Sequence, residues 1–424
     1  MTLLYIFIAL LAGLFALFLV SSELSGTLKL SLKSRIILGA MMGFGVIGVS
    51  IKAAVISYLT PSETLAMVST SSRTLNSVRT DHSHIEPRGL SYRIDRESWR
   101  SLPVPKEELQ DTDRIRKLIK LGERLFFDTR LSSSGSVSCA SCHVIGLGGD
   151  DGKEVSTGID GLKGDRNAPT VLNSSYLRRF FWDGRAASLE EQAKGPLVNP
   201  VEMGLRSLDQ AVGIVTRDPV YVSGFKTLYS EDLNIDQIAK AIAAFERTLT
   251  TGLSPYDRFV NGDNQALSAS ELRGMQLFDE VGCRSCHEDP WFTVAGSSHT
   301  SPYRVFPVYQ GSYLLERHDL TRDRGRNQSG VWRVPSLRNV AETAPYFHNG
   351  SVQSLKEAVQ IMATVQRGWT VTREEEAPIR ITRDQQGRPI LKKDQSLGNQ
   401  DVEDIVNFLK ALSGDIPMIT NPWR

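Results

Sequence analysis

Two long apolar runs open the chain. Residues 3–20 contain no charged side chain, and a second apolar run over residues 36–59 contains only Lys52. The eighteen residues of the first run are long enough to cross the hydrocarbon core of a bilayer as a helix. The pattern therefore predicts a two-helix membrane anchor over residues 1–59.

The charges around these runs favour an anchor and give it an orientation. A cleavable signal peptide is the alternative for the first run, but it would begin with a positive segment, and no Lys or Arg precedes Leu3. The connection between the runs carries Lys29, Lys33 and Arg35 against one acid, Glu23. Positive connections stay in the cytoplasm. We therefore expect an inner-membrane protein whose main part faces the periplasm.

The rest of the chain shows a linker and then a repeated helical pattern. Residues 60–109 are rich in Ser, Thr and charge without an apolar period, which indicates a linker. Beyond it, Gly-x-x-Leu-Phe over 122–126 recurs over 274–278, and Ile-x-x-Phe-x-x-x-Leu over 242–249 recurs over 405–412. A tandem duplication of a small helical domain explains this order. The alternating strands and helices of a nucleotide-binding fold are not predicted anywhere.

Composition narrows the function classes. The 424 residues include 49 basic and 48 acidic side chains, a formal net charge of +1. A nucleic-acid-binding protein would usually carry a basic excess, so no nucleic-acid partner is expected. All four cysteines lie in two copies of Cys-x-x-Cys-His, which excludes a disulfide framework as the main source of stability.

Cys-x-x-Cys-His is the attachment signature of c-type haem. The two copies consist of Cys139, Cys142, His143, Cys283, Cys286 and His287. In such a motif the two thiols form thioethers to one macrocycle and the histidine binds the iron. A zinc site would need both cysteine pairs on one metal, and a thioredoxin-like pair would need a βαβ context. The sequence thus predicts two covalent haems, which are attached outside the cytoplasmic membrane.

Six longer strings carry a family resemblance. They are Arg-Asn-Ala-Pro-Thr (166–170), Phe-Trp-Asp-Gly-Arg (181–185), Glu-Gln-Ala-Lys-Gly-Pro (191–196), Val-Glu-Met (201–203), Val-Pro-Ser-Leu-Arg-Asn (334–339) and Thr-Ala-Pro-Tyr-Phe-His-Asn-Gly (343–350). With them the sequence resembles the bacterial di-haem cytochrome c peroxidases and their MauG-like relatives over about residues 113–414. The resemblance implies an all-α fold with two tandem c-type cytochrome domains, a peroxidatic one at 110–255 and an electron-transfer one at 256–424.

The resemblance also implies the iron ligands. His143 matches the proximal ligand of the peroxide-reacting haem, and His287 matches that of the electron-transfer haem. The second ligand of the latter is a methionine fourteen residues after the histidine of Pro-Tyr-Phe-His, here Met362 after His348. A methionine at a helical position is usually core filling. MauG-like relatives have tyrosine there, so Met362 favours the peroxidase branch.

Three residues match the family's catalytic positions. Gln192 and Glu202 match the pair on the distal side of the first haem, and Trp182 matches the aromatic residue between the haems. A carboxylate in a partly apolar pocket can move a proton between the peroxide oxygens if its pKa rises toward the working pH. Without the resemblance, Glu202 would be an ordinary surface or capping acid, and Trp182 a core aromatic residue as readily as an electron relay.

Three other positions match a calcium site between the haems. These are Asn167, Thr343 and Pro345, so one calcium ion is a candidate third cofactor. One loop departs from the family. Peroxidases that need reductive activation carry a blocking histidine after the first motif, whereas residues 144–161 contain none and Ile159 stands at that place. We therefore expect an open distal side at the first haem.

The leading hypothesis is a membrane-anchored di-haem peroxidase that reduces hydrogen peroxide to water. Its electrons would come from an external donor such as a small cytochrome c or a cupredoxin; the anchor also permits a quinol donor. A MauG-like oxidase that modifies a protein partner is one alternative, and a plain electron-transfer cytochrome without an open iron is another. A homodimer is a candidate assembly.

Overall fold

The computed structural model describes residues 94–103, 112–371 and 396–423, all within the compact unit that spans residues 83–424. The anchor predicted over residues 1–59 and most of the linker predicted over residues 60–109 lie outside the described residues. Within the described ranges, no helix has both the length and the apolar character needed to cross a membrane.

Helices dominate the described part of the chain. The α-helices are α1 (Asp113–Phe126), α2 (Cys139–Cys142), α3 (Leu189–Val198), α4 (Leu208–Val215), α5 (Pro219–Lys226), α6 (Ile235–Glu246), α7 (Pro255–Val260), α8 (Ala269–Glu280), α9 (Tyr313–Arg317), α10 (Leu355–Ile361) and α11 (Asn399–Lys410). Short 3₁₀ turns lie at Arg96–Ser98, Thr129–Leu131, Ile145–Leu147, Ile159–Gly161, Ser174–Tyr176, Cys283–Ser285, Val294–Gly296 and Val340–Glu342. A π-helical turn, Met362–Gln366, continues α10.

In the described ranges, four short strands accompany the helices; the prediction of an all-α fold did not include them. Strand β1 (Tyr303–Val305) pairs with β2 (Val331–Arg333) in antiparallel register, and β3 (Thr370–Val371) pairs with β4 (Ser396–Leu397) in parallel register. Each strand has only two or three residues, which is too short for a period-two pattern to be recognised in the sequence.

The first core forms around the crossing of α1 and α6. Helix α1 begins where the Thr112 side chain accepts a hydrogen bond from the Ile115 amide, and α6 begins at the capping box of Asn234. A Cβ at Gly122 would overlap the carbonyl oxygen of Ala241. Glycine is therefore what lets the two helices approach so closely. Buried side chains of both helices then pack together.

The second core repeats this construction with α8 and α11. A Cβ at Gly274 would overlap the carbonyl oxygen of Asp404, just as at the first crossing. The Arg273 side chain also pairs with the buried carboxylate of Asp404 at 2.6 Å and helps to lower its pKa. Phe278 and Phe408 pack with their ring centroids 5.3 Å apart. The opening helix (α1 or α8) and the closing helix (α6 or α11) of each half therefore meet at equivalent glycines.

Two equivalent loops give further support for the internal repeat. Asn173 and Asn339 each follow a proline by four residues and each adopt a left-handed backbone conformation, with φ of 59° and 56°. The backbone amide of Asn173 donates to the carbonyl of Leu249, and the backbone amide of Asn339 donates to the carbonyl of Leu412. Both asparagines thus tie their loops to the end of the closing helix of their own half.

Part of the predicted linker is not a linker. Trp99 is buried in the second core, with its ring edge-on to Tyr256 and Phe408. The Leu102 amide donates to the Asp257 carboxylate at 2.9 Å, and the guanidinium of Arg284 lies 3.8 Å from the Trp99 ring centroid. Two isolated apolar residues give no periodic signal in a polar segment, which is why the sequence pattern missed this packing.

Candidate functional site

The first Cys-x-x-Cys-His motif sits on a short helix in the first core. Helix α2 carries both cysteines, and His143 follows it directly. The Nδ1 atom of His143 lies 3.2 Å from the carbonyl oxygen of Gly149. A carbonyl oxygen can only accept, so Nδ1 must carry the proton, and Nε2 is the nitrogen left for a metal. Burial lowers the pKa of His143 and favours this neutral form.

The second motif has the same arrangement. Cys283 begins a 3₁₀ turn, and the Nδ1 atom of His287 lies 3.1 Å from the carbonyl oxygen of Phe292. Burial lowers the pKa of His287 to about 4, so its ring is neutral at physiological pH. Each motif therefore offers one oriented, unprotonated Nε2 beside two thiols.

A cavity of about 250 Å³ opens beside the second motif and is called the second cavity after that motif. Its lining includes Cys283, Cys286, His287 and Met362, and most of its remaining wall is apolar. Met362 is the first residue of the π-helical turn after α10, a local irregularity that is frequent at functional sites. The structure thus brings the predicted thioether ligand to the same cavity as the predicted histidine ligand.

Unsatisfied polar atoms in the cavity wall test whether a haem fits. Nε2 of His348 and Oε1 of Gln366 are buried and find no hydrogen-bond partner among the described residues, and both side chains line the cavity. Buried polar groups normally have partners. A large apolar group with a polar edge, such as a haem, would fill this cavity and meet these atoms. The residues present therefore fit a c-type haem at the second motif.

Trp182 belongs to the first half of the chain but lines the second cavity. Its indole nitrogen donates to the carbonyl oxygen of Asn167 at 2.9 Å, and its ring lies edge-on to His348 at 6.5 Å. His348 in turn stacks on Trp332 at 4.2 Å. Trp182 is thus held where the two halves meet; its place between two haems stays a prediction.

The three residues matched to a calcium site also line this cavity. Asn167 uses its side-chain amide to donate to the Lys153 carbonyl at 2.9 Å, and the Thr343 hydroxyl donates to the Val340 carbonyl. Pro345 lies beside them in the cavity wall. Within the described ranges, no group of three or more His, Cys, Asp or Glu side chains is arranged to hold a metal ion. The calcium ion stays a prediction.

Glu202 lies close to the first motif. Its charge contributes to the raised pKa of both the Cys139 and the Cys142 thiols. Burial raises the pKa of Glu202 itself, while the side-chain amide of Asn199 donates to its carboxylate at 2.7 Å. Gln192 lies partly buried on α3, a few residues earlier in the chain. The structure thus provides a half-buried, oriented acid with a raised pKa beside the first motif.

Ile159 is also in the first core. Its side chain is buried, and a Cβ at Gly204 would overlap it. The loop with Ile159 is therefore packed directly against the segment that carries Glu202.

Two buried acids were missed by the sequence analysis. Asp150 lines the second cavity, both of its carboxylate oxygens are buried without a partner in the described part of the chain, and burial raises its pKa to about 6. Glu246 is buried beside the first motif, and its pKa is raised to about 8. For Glu246 a signal was available, because the matching position of the second repeat is Leu409.

Comparison with known proteins shows which family the chain belongs to. Residues 116–265 match the family described as "Di-haem cytochrome c peroxidase". The cytochrome c551 peroxidase of Nitrosomonas europaea is 40% identical over 302 residues, which are 71% of this chain and 81% of that protein. The chain belongs to the di-haem cytochrome c peroxidase family. The resemblance recognised in the sequence is thereby confirmed.

Other members of the family extend the comparison. Cytochrome c peroxidase Ccp of Escherichia coli is 36% identical over 319 residues, which are 74% of this chain but only 60% of that protein. A solved structure described as a MauG-like protein associated with microbial copper homeostasis is 30% identical, with a TM-score of 0.59, and covers 77% of this chain and 98% of its own. This is a family of enzymes with two c-type haems, in agreement with the two predicted haems. It has both peroxidase and MauG-like branches.

Proposed function

We propose that this protein reduces hydrogen peroxide to water at its first haem, with electrons that an external donor delivers through the second. The observation that carries the proposal is the difference between the two motifs. Met362 accompanies His287 at the second motif, whereas Glu202 and the apolar Ile159 accompany His143 at the first. A haem site with a ligating thioether suits electron transfer. A haem site with a half-buried acid and no second protein ligand suits acid–base chemistry on a bound substrate.

The histidines and cysteines hold the prosthetic groups in this proposal. His143 and His287 would bind iron through Nε2, while Nδ1 donates to a backbone carbonyl and so fixes the ring orientation. The four cysteine thiols would form the thioethers. When bound, the first haem would supply an iron site for peroxide, and the second would supply a store for the incoming electron.

Glu202 moves the proton. Its carboxylate takes a proton from the near peroxide oxygen and returns it to the far one, so that the oxygen–oxygen bond breaks with water as the leaving group. Burial raises the pKa of Glu202, which makes its carboxylate a better proton acceptor, and the hydrogen bond from Asn199 holds its orientation. Gln192 would donate a hydrogen bond to the bound peroxide.

Trp182 lies where an electron would pass from one half to the other, with its indole nitrogen anchored on Asn167. The Met362 thioether raises the potential of the second haem relative to a second histidine, which suits a group that must accept electrons from a mild donor. A small cytochrome c or a cupredoxin is the donor we propose, with quinol as an alternative. A calcium ion at Asn167, Thr343 and Pro345, and a homodimer, remain parts of the proposal.

The sequence supports a location for this chemistry. The two apolar runs and the basic connection between them favour an inner-membrane anchor with the haem domains in the periplasm. Covalent haem attachment of this type takes place on the same side of the membrane.

A MauG-like oxidase is the second candidate function, and the MauG-like solved structure favours it. In that case a protein partner would lose electrons to the haems instead of a small donor protein. Met362, in place of the tyrosine of MauG-like relatives, argues for the peroxidase.

The proposal is tested by peroxide-dependent oxidation of a reduced small cytochrome c or cupredoxin by the purified two-haem protein. We expect turnover in the native protein and none in the double variant Cys139→Ser/Cys142→Ser, which would keep the second haem. Rapid oxidation of the donor without any dependence on peroxide, in a protein with both haems attached, would instead identify a plain electron-transfer cytochrome.

A further inference from the structure

Glu246 is a buried acid without an evident structural role. It is the last residue of α6, its side chain is 5% exposed, and its Oε2 atom has no hydrogen-bond partner among the residues that the structure describes. Burying a carboxylate that is not fully hydrogen-bonded costs free energy. Such a group in a native protein calls for an explanation.

The internal repeat shows which way Glu246 faces. The carbonyls of Ala241 and Asp404 occupy the same place in the two glycine-mediated helix crossings. Five residues further along each helix stand Glu246 and Leu409. Leu409 lines the second cavity together with Cys283. By the repeat, Glu246 occupies the corresponding place beside the first motif.

The electrostatics of the thiols support this placement independently. After burial, the charge of Glu246 is the largest contribution to the raised pKa of Cys139. At the second motif, the charge that acts most strongly on the Cys283 thiol is positive. It belongs to Arg367, which lines the second cavity. The two halves therefore surround equivalent cysteines with charges of opposite sign.

The surroundings of Glu246 contain few other charges. Arg247 follows it in the chain and pairs with Glu190 of α3 at 2.8 Å; the arginine lowers the pKa of Glu246 and Glu190 raises it. The charge of Glu202 also helps to raise the pKa of the Cys139 thiol. Helices α1 and α4, which also pack against α6, contribute apolar side chains to this core, among them Leu125, Phe126, Ala211 and Val215. Cys139 itself would be a thioether in the holoprotein and would not titrate.

We propose that Glu246 is a tuning residue of the first haem site. Its ionised carboxylate stabilises the oxidised haem, which carries one more positive charge than the reduced haem, and Glu246 takes up a proton when that haem is reduced. The inference rests on the proposed function for the presence of a haem at Cys139, Cys142 and His143. Arg367 has the opposite effect at the second haem, so the charges of the chain add to the difference in potential that axial ligation creates.

The test is the midpoint potential of each haem in the holoprotein as a function of pH. The range should run from about pH 6 to about pH 10, on both sides of the pKa of about 8 that burial gives Glu246. In the native protein we expect the potential of the first haem to fall with rising pH across this range. Glu246→Gln keeps the shape of the side chain, and Glu246→Leu installs the residue of the second repeat. Both should flatten that dependence and raise the potential at the alkaline end, while the second haem stays unchanged.

The control is Glu202→Gln, which removes the other acid near Cys139 and should leave the Glu246-dependent fall in place. If Glu246→Gln retains the native pH dependence, or if only Glu202→Gln abolishes it, the inference is overturned. Thermal unfolding separates tuning from a structural role. Glu246→Leu should be at least as stable as the native protein because it removes a buried polar atom without a partner. Failure of the proposed function would look different, as a missing first haem or an absence of peroxide turnover in the native protein.

Discussion

The backbone amide of Ile159 donates a hydrogen bond to the carbonyl oxygen of Glu202, with the two atoms 3.0 Å apart. A Cβ at Gly158 would overlap the carbonyl of Val201, and a Cβ at Gly204 would overlap the Ile159 side chain. The loop that carries a blocking histidine in activating peroxidases is therefore fastened here to the segment that carries the acid. Because isoleucine has no lone pair, this loop presents no iron ligand from position 159.

The first prediction concerns the resting state. With Ile159 in place, the fully oxidised protein should show mixed high-spin and low-spin haem, and peroxide should react without prior reduction of the second haem. Ile159→His should convert the first haem to low spin and introduce a lag that pre-reduction removes. Ile159→Val is the matched control. It should cost only about 0.5–1.5 kcal/mol of unfolding free energy and leave the spectrum unchanged.

Optical or paramagnetic resonance spectra of the oxidised protein check this directly. Two purely low-spin haems in the native protein, together with a lag, would mean that another side chain closes the first site. His82 and His84, which lie outside the described residues, would then be the first candidates.

The second prediction concerns Glu202. Glu202→Gln should keep both haems but lower peroxide turnover by about 10²–10⁴-fold, the usual contribution of general acid–base catalysis. Since burial raises the pKa of Glu202, and the ionised form is the one that accepts the proton, native turnover should rise with pH through that raised pKa. The Gln variant should lack this rise.

The control for Glu202 is Glu191→Gln. Glu191 is exposed at the start of α3, where its carboxylate accepts from the Ala187 amide, a bond that glutamine can also accept. Its turnover should stay close to native. Comparable losses in the two variants would remove Glu202 from the mechanism.

Local patterns predicted the helices and the motifs, whereas long-range burial escaped them. Gly122 and Gly274 each stand within a repeated string whose apolar residues recur at the helical period. That repetition was enough to predict equivalent helices. Trp99 is buried against residues more than 150 positions away, so nothing in its own segment reveals it. Asp150 and Glu246 are similar cases, because an acid is usually exposed and only the folded chain shows that these two are not.

The third prediction concerns Met362. Met362→His should keep the second haem low-spin and lower its midpoint potential, because a thioether raises the potential relative to an imidazole. Electron uptake from the donor should slow accordingly. Met275→Leu is the control, because Met275 is fully buried in the second core; it should leave both potentials unchanged. An unchanged potential in Met362→His would show that Met362 is core filling.

The fourth prediction concerns the membrane anchor. The basic connection with Lys29, Lys33 and Arg35 leads us to expect that residues after Thr60 lie outside the cytoplasmic membrane. A reporter that is active only in the periplasm should therefore be active when fused after Thr60. Replacing the three basic residues by glutamine should weaken that orientation. Reporter activity confined to the cytoplasm would contradict both the topology and the route to covalent haem.

The fifth prediction concerns the two helix crossings. Alanine is a better helix former than glycine by about 0.5–1 kcal/mol, so Gly→Ala within a helix is stabilising where there is room. At Gly274 there is none, because the added Cβ would overlap the backbone carbonyl of Asp404, which cannot rotate away as a side chain could. Overpacking of this kind costs about 1–3 kcal/mol. Gly274→Ala should therefore lower the unfolding free energy despite its helix propensity, and Gly122→Ala should do the same in the first half.

Gly213 provides the control that separates the two effects. It lies within α4, and none of the described residues comes within 4 Å of a Cβ added there. Gly213→Ala should therefore raise the unfolding free energy by about 0.5–1 kcal/mol through helix propensity alone. Urea unfolding of the three holoprotein variants measures all three values. If Gly274→Ala were stabilised as much as Gly213→Ala, the close approach of α8 and α11 would be wrong.

The crossing of α8 and α11 also forms part of the second haem site, because Phe278, Ile405 and Leu409 of these helices line the second cavity. Gly274→Ala should therefore also disturb the second haem, whereas Gly213→Ala should not.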